Sequence, residues 1–183
     1  MFSSDPVNFN LAYPFYRHSV EYPLDAALIL DGKSFTYSKL ASCASRIAAW
    51  LNDGCNTRHG QRRVVILASR SLETYAGILG ACWAGATYIP INVKIPAATL
   101  KCTLECADPD ALIIDKKGAK RLAECGMSGY RRVLQPFGES LSDDFHVNDE
   151  LAKVAPMQNP VAMSADEVAY VIFTSGTTGI QRG

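Results

Sequence analysis

The chain has 183 residues, 48% of them apolar and 20% charged, with 18 Lys and Arg balancing 18 Asp and Glu. That length and apolar content suit one globular domain with a real core, and the zero net charge excludes the broad positive field by which proteins gather nucleic acid or anionic lipid. Apolar runs such as residues 26–30 and 169–173 fall far below the roughly 20 residues of a bilayer span, so neither a nucleic-acid partner nor a membrane span is expected.

Residues 1–10 carry Asp5 and lack the basic start and apolar run of a secretory signal, which predicts a cytoplasmic protein. Residues 1–12 read as irregular. Residues 26–30 then form a short strand, Asp31-Gly32 a turn with Gly supplying positive φ, and residues 34–37 the returning strand of a hairpin. From Thr36 onward Leu40, Ala44, Ile47, Ala48 and Leu51 recur at helical spacing, and Gly54 stands where a left-handed C-terminal cap belongs.

Residues 63–67 are a β-branched apolar run, followed by Ser71 and then by Leu72, Tyr75, Ala76, Leu79 and Trp83 on one helical face. The pattern repeats as a strand over 87–91, a helix over 96–107 with Pro96 in its first turn, a strand over 111–114 and a helix over 117–125. A short strand over 131–134 leads into residues 135–165, whose prolines, acids and serines read as loop, and residues 167–173 return to a strand-like apolar run. Strands alternating with helices predict an α/β fold with a largely parallel sheet flanked by helices, because parallel strands need a crossover helix to bring the chain back.

The six cysteines, Cys43, Cys55, Cys82, Cys102, Cys106 and Cys125, contain no Cys-x-x-Cys pair, so reduced and mostly buried thiols are expected. Cys102 and Cys106 share a helix face, but without a matching His or second Cys pair they make no metal site. His18, His59 and His146 are scattered, and Lys116, Lys117, Lys120 and Arg121 have the spacing of a solvated helix face.

Chemistry concentrates in residues 170–183, YVIFTSGTTGIQRG. Thr174, Ser175, Thr177 and Thr178 interleave with Gly176 and Gly179. Glycine lets backbone N–H groups approach an anion closely, and the hydroxyls add donors that rotate onto phosphate oxygens. The segment lacks the Gly-x-x-x-x-Gly-Lys-Ser/Thr spacing of an ordinary P-loop. Taken alone, it could equally be a flexible polar turn.

The apolar run followed by Thr174 to Gly179 resembles the signature TSGTTG-x-P-K-G of the adenylate-forming superfamily: acyl-CoA synthetases, luciferases and nonribosomal peptide adenylation domains. Two upstream segments stand in the family's order, residues 35–40 (FTYSKL) resembling L-T-Y-x-E-L and residues 84–92 (AGATYIPIN) resembling A-G-x-A-Y-V-P-L-D. Both upstream segments read as scaffold, Thr36 as a helix cap and Gly85 with Pro90 as shapers of helix-strand packing. The resemblance extends from about Tyr13 and makes residues 13–183 an incomplete AMP-binding domain, the N-terminal portion of the large domain of such an enzyme, ending just after the phosphate-binding loop.

The resemblance implies an ATP-dependent ligase: a carboxylic acid substrate attacks the α-phosphorus of ATP, accompanied by Mg2+, to give an acyl-adenylate and pyrophosphate. A thiol then takes the acyl group, either the phosphopantetheine of a carrier protein or CoA. Thr174, Ser175, Gly176, Thr177, Thr178, Gly179 and Arg182 would bind the β- and γ-phosphates, and no catalytic residue or metal ligand is assigned. The wording around Tyr88 to Ile91 favours an amino acid substrate. A fragment inactive in full turnover is expected, because the family's other nucleotide and acyl motifs follow the signature. The alternatives are an acyl-CoA synthetase fragment and a non-catalytic ATP-binding or interaction module. The sequence departs from the family pattern at Lys39, where an acid is usual, at Gln181 in place of proline, and at Arg182 in place of lysine, which keeps the charge but changes an ammonium into a planar fork.

Overall fold

The computed structural model describes residues 8–53, 60–127, 129–130, 132–137 and 148–174. Its first elements are helix α1 (Tyr13–Glu21) and strands β1 (Ala26–Leu30) and β2 (Lys33–Thr36), paired antiparallel. Asp31 and Gly32 both take positive φ, 48° and 78°, which is the backbone that matches a tight hairpin to the right-handed twist of its strands. Helix α2 (Tyr37–Asn52) follows without a break, and Thr36 caps it by accepting the Lys39 amide at 3.3 Å. The expected C-terminal cap, Gly54, lies outside the described residues.

Strand β3 (Arg63–Ala68), helix α3 (Leu72–Trp83), strand β4 (Thr87–Asn92), helix α4 (Ala97–Ala107), strand β5 (Ala111–Ile114), helix α5 (Lys116–Glu124) and strand β6 (Val133–Leu134) come next. The four strands are parallel in the order β4-β3-β5-β6. Alternate side chains of β3 serve opposite faces. Val64 and Ile66 join Leu40, Ile47 and Leu51 of α2 and Ala76 and Ala81 of α3, while Val65 and Leu67 join Leu100 and Leu104 of α4 and Leu122 of α5. The result is the expected α/β arrangement, with a parallel sheet between two helical layers.

Two glycines let the helices come close. A Cβ on Gly80 of α3 would stand 2.5 Å from Ile47 Cγ2 of α2, and one on Gly118 of α5 would stand 2.0 Å from the carbonyl oxygen of Leu67. The second contact seats α5 directly on the carboxyl end of β3.

The sequence reading and the structure differ in four places. Helix α1 stands in a stretch, residues 13–25, for which the sequence reading names no element, and Pro14 falls in its first turn, where a missing N–H costs nothing. The polar stretch after β6 contains a one-turn helix, α6 (Asp149–Ala152), docked on α2. Arg46 Nη1 donates to two of its carbonyls, Leu151 O at 3.3 Å and Ala152 O at 3.4 Å, and to Val154 O just beyond it at 2.6 Å, and Trp50 Nε1 donates to Glu150 at 2.5 Å. Of the five cysteines described, only Cys43 and Cys82 are buried, whereas Cys102 and Cys106 are exposed. Leu100, Thr103, Leu104 and Ala107 take the inner face of α4, which turns positions 102 and 106 outward.

The fourth difference is the run 167–173, which makes a single parallel bridge, Tyr170 to Tyr88, instead of a strand. Tyr88 N donates to Ala169 O at 3.2 Å and Tyr88 O accepts from Val171 N at 3.1 Å. The next β4 residue facing that edge is Pro90, which has no N–H to continue the ladder.

Candidate functional site

In an open parallel sheet, ligands sit beyond the carboxyl ends of the strands, where successive connections leave on opposite faces. Here that point lies between β3 and β5. After β3 the chain turns to α3 in one layer, and after β5 it turns to α5 in the other. The two strand ends are tied together by Asp115, 5% exposed. Its carboxylate accepts from Ser69 N at 2.8 Å, Ser69 Oγ at 2.5 Å and Gly118 N at 2.7 Å. Burial pushes its pKa up, but the Ser69 hydroxyl and the Gly118 and Ser69 amides outweigh that and hold it below the ordinary carboxylate value. Asp115 is also the N-cap of α5. Its partners occupy it fully on the protein side, so it shapes the sheet's ligand-facing end and does not present a free carboxylate.

The segment that carries the signature runs parallel to β4, so Thr174 emerges at the same carboxyl end of the sheet, and it is exposed there. Ser175, Gly176, Thr177, Thr178, Gly179 and Arg182 lie outside the described residues. Upstream of Thr174 the side chains alternate. Val168, Tyr170 and Ile172 face outward at 49%, 49% and 60% exposure, while Val171 and Phe173 turn onto the α4 layer. The Tyr170 ring packs on Tyr88 with centroids 5.5 Å apart. Burial raises the Tyr88 pKa.

Three side-chain hydrogen bonds fasten Val168, where the segment begins. Gln61 Oε1 accepts from Val168 N at 3.0 Å, Gln61 Nε2 donates to Val168 O at 2.9 Å, and Thr87 Oγ1 donates to the same carbonyl at 2.8 Å. Gln61 Nε2 also reaches Gly85 O at 3.2 Å, which links the AGATYIPIN turn to the start of the signature segment. Gly85 itself takes φ +69°, and a Cβ there would meet Val161 Cγ1 at 3.2 Å, consistent with the scaffold role read for this motif.

Sequence reasoning did not find Asp115, Gln61 or Thr87. Asp115 had a signal, an acid between the last strand residue and an amphipathic helix; Gln61 had none. Among the described residues no group of three or more His, Cys, Asp or Glu is placed to hold a metal ion, and no helix is long and apolar enough to cross a membrane.

Comparison with known proteins bears on the same region. A family model described as "AMP-binding enzyme" matches residues 15–183. The chain belongs to this family. Among curated relatives it is 33% identical over 158 residues to surfactin synthase subunit 1 of Bacillus subtilis (strain 168), covering 86% of this chain and 4% of that protein. It is 32% identical over 162 residues to tyrocidine synthase 3 of Brevibacillus parabrevis, covering 88% of this chain and 2% of that one. The crystallised N-terminal subdomain of Klebsiella oxytoca NpsA superposes with a TM-score of 0.71 at 26% identity, covering 95% of this chain and 41% of that chain. The chain therefore spans a small part of these curated relatives and less than half of that solved one. The family match takes in most of α1 and all the later elements, with the signature loop as its last part.

Proposed function

We propose that this chain is the nucleotide-entry part of an ATP-dependent ligase that adenylates a carboxylic acid, with an amino acid as the favoured substrate. The single observation that carries the reading is the match of Thr174 to Gly179 to the first six residues of the signature, inside a family match over residues 15–183; Thr174, the described residue among them, follows a segment that runs parallel to β4. The synthases it is similar to support the amino acid preference.

In this reading Thr174, Ser175, Gly176, Thr177, Thr178 and Gly179 donate amides and hydroxyls to the β- and γ-phosphates, and Arg182 adds a positive charge. These residues position and neutralise, which is the main work in phosphoryl and nucleotidyl transfer. Thr174, exposed at the ligand-facing end of the sheet, fits that role. Mg2+ would accompany the nucleotide, where it would lower the charge on the leaving pyrophosphate. The activated acyl group would pass to a thiol, the phosphopantetheine of a carrier protein or CoA, in the cytoplasm.

Hydroxylamine trapping tests the proposal. The protein carrying these 183 residues, given Mg·ATP and a panel of amino, aryl and fatty acids, should form the hydroxamate of one acid class, identified by mass. No hydroxamate from any acid, with ATP binding intact, would favour the binding-module alternative.

A further inference from the structure

The signature segment is held on β4 more by side chains than by its own backbone. Pro90 limits the backbone pairing to two hydrogen bonds, both at Tyr88. Val171 and Phe173 pack inward only partly and border a cavity of about 540 Å³ beside α4, so apolar contact holds the segment loosely as well. Gln61 and Thr87 place three hydrogen bonds on the amide and carbonyl of Val168. Gln61 is a bidentate partner: its amide mimics a neighbouring strand, donating and accepting on one residue, at the point where the sheet ladder cannot extend.

We infer that Gln61 and Thr87 are positioning residues for the nucleotide loop, a clamp that fixes the register of residues 168–174 against β4 and so sets where Thr174 and the glycine-rich turn begin. This rests on the nucleotide reading of that turn. The clamp is anchored well. Thr87 is 4% exposed within β4, and Gln61 is braced by Gly85 O. A slip of the segment by one residue would turn Val171 and Phe173 to solvent and Tyr170 and Ile172 inward, carrying Thr174 off its place. The clamp opposes that slip at its origin.

The test compares Gln61→Leu, Thr87→Val and Thr87→Ser in the protein that carries these 183 residues, by amide exchange and by Mg·ATP titration calorimetry. Gln61→Leu and Thr87→Val should speed exchange at Val171, whose own hydrogen bond to Tyr88 is untouched, by about tenfold, the factor for losing one or two half-exposed hydrogen bonds. Both should weaken Mg·ATP binding by a similar factor while the melting temperature moves little. Thr87→Ser, which keeps the hydroxyl, should restore both. Unchanged Val171 exchange in Gln61→Leu and Thr87→Val would overturn the clamp. Faster exchange with unchanged ATP affinity would overturn its positioning role. If the unaltered protein does not bind Mg·ATP, the nucleotide reading fails and the positioning role with it, while the exchange data still report whether the clamp exists.

Discussion

Replacing Asp115 by Ala removes the acceptor for two amides and one hydroxyl at the meeting of β3, β5 and α5. The Gly118 amide is buried and would lose its partner outright, a cost of about 1–3 kcal/mol for an unsatisfied group. The Ser69 amide and hydroxyl are partly buried, so water recovers some of their loss, and about 0.5–1 kcal/mol each is appropriate. The sum is about 3 kcal/mol, which for a chain of this size lowers the melting temperature by roughly 6–12 °C. Asn at the same position keeps one acceptor but turns an NH2 toward donors, and should cost about half as much. The pH dependence has a definite sign. A carboxylate held below its ordinary pKa contributes stability above the unfolded value, near 4, and that contribution fades as pH falls through the lower native value. The gap between the native chain and Asp115→Asn in urea denaturation should therefore be widest at neutral pH and close below pH ~4. A gap under about 1 kcal/mol at pH 7, or one that widens on acidification, would refute this account of the strand ends.

Further outcomes follow from the packing. Gly80→Ala puts a methyl 2.5 Å from Ile47 Cγ2, an overpacking that should cost about 1–3 kcal/mol in chemical denaturation and separate α2 from α3. Arg46→Met removes the donors that hold Leu151, Ala152 and Val154. It should leave the sheet intact while limited proteolysis after residue 148 accelerates severalfold; an unchanged cleavage pattern would mean that Leu151 burial and the Trp50–Glu150 hydrogen bond suffice to hold α6. Iodoacetamide at pH 8 should alkylate exposed Cys102 and Cys106, the latter more slowly because partial desolvation and the neighbouring Cys102 raise its pKa, and spare Cys43 and Cys82, whose pKa values burial pushes up to about 12. Peptide mapping reads this directly, and early labelling of Cys82 would contradict the packing of α3.

The elements legible in the sequence are those whose local and tertiary signals agree. Asp31-Gly32 announces the β1–β2 hairpin, Thr36 and the run from Leu40 to Leu51 announce α2, and the β-branched runs of β3 and β5 are buried on both faces as a parallel sheet requires. The misread places are those decided by partners far along the chain. Helix α1 is aromatic and short, and its entry is fixed by Asn10, whose side-chain amide donates to Cys82 O at 2.6 Å and Val161 O at 2.7 Å, contacts that no local pattern reveals. Residues 167–173 have the composition of a strand, but the missing N–H of Pro90 on the neighbouring strand cuts the ladder to one bridge. The thiols of Cys102 and Cys106 look like core residues by type, yet Leu100 and Leu104 claim the buried face of α4. Of the basic residues of α5 expected to be solvated, three are, whereas Arg121 is partly buried and its Nη2 donates to Ile95 O at 2.7 Å. Lys116, Lys117 and Lys120 are exposed, and Arg121 and Lys120 pair with Glu124 on the same helix at 3.3 and 3.9 Å, pairs of small energetic weight.

The candidate site was legible as a motif and opaque as geometry. Thr174 to Gly179 has residue types that suit phosphate, and its resemblance to the signature, with two upstream segments in the family's order, is what sets it apart from a flexible polar turn. Where that loop starts depends on Gln61, Thr87 and Tyr88, which the sequence presents as an ordinary loop residue and two ordinary strand residues. The departures at Gln181 and Arg182 lie outside the described residues, so their effect is a matter for binding experiments.

The most direct test of adenylation is ATP–pyrophosphate exchange by the protein that carries these 183 residues, expressed from its native gene and assayed with one acid at a time. The account predicts label incorporation into ATP that depends on one class of carboxylic acid, with amino acids foremost, and that falls at least tenfold when Gly176 and Thr177 are replaced by bulkier apolar residues. Exchange with no acid dependence, or none at all from a folded protein that binds ATP, would contradict it.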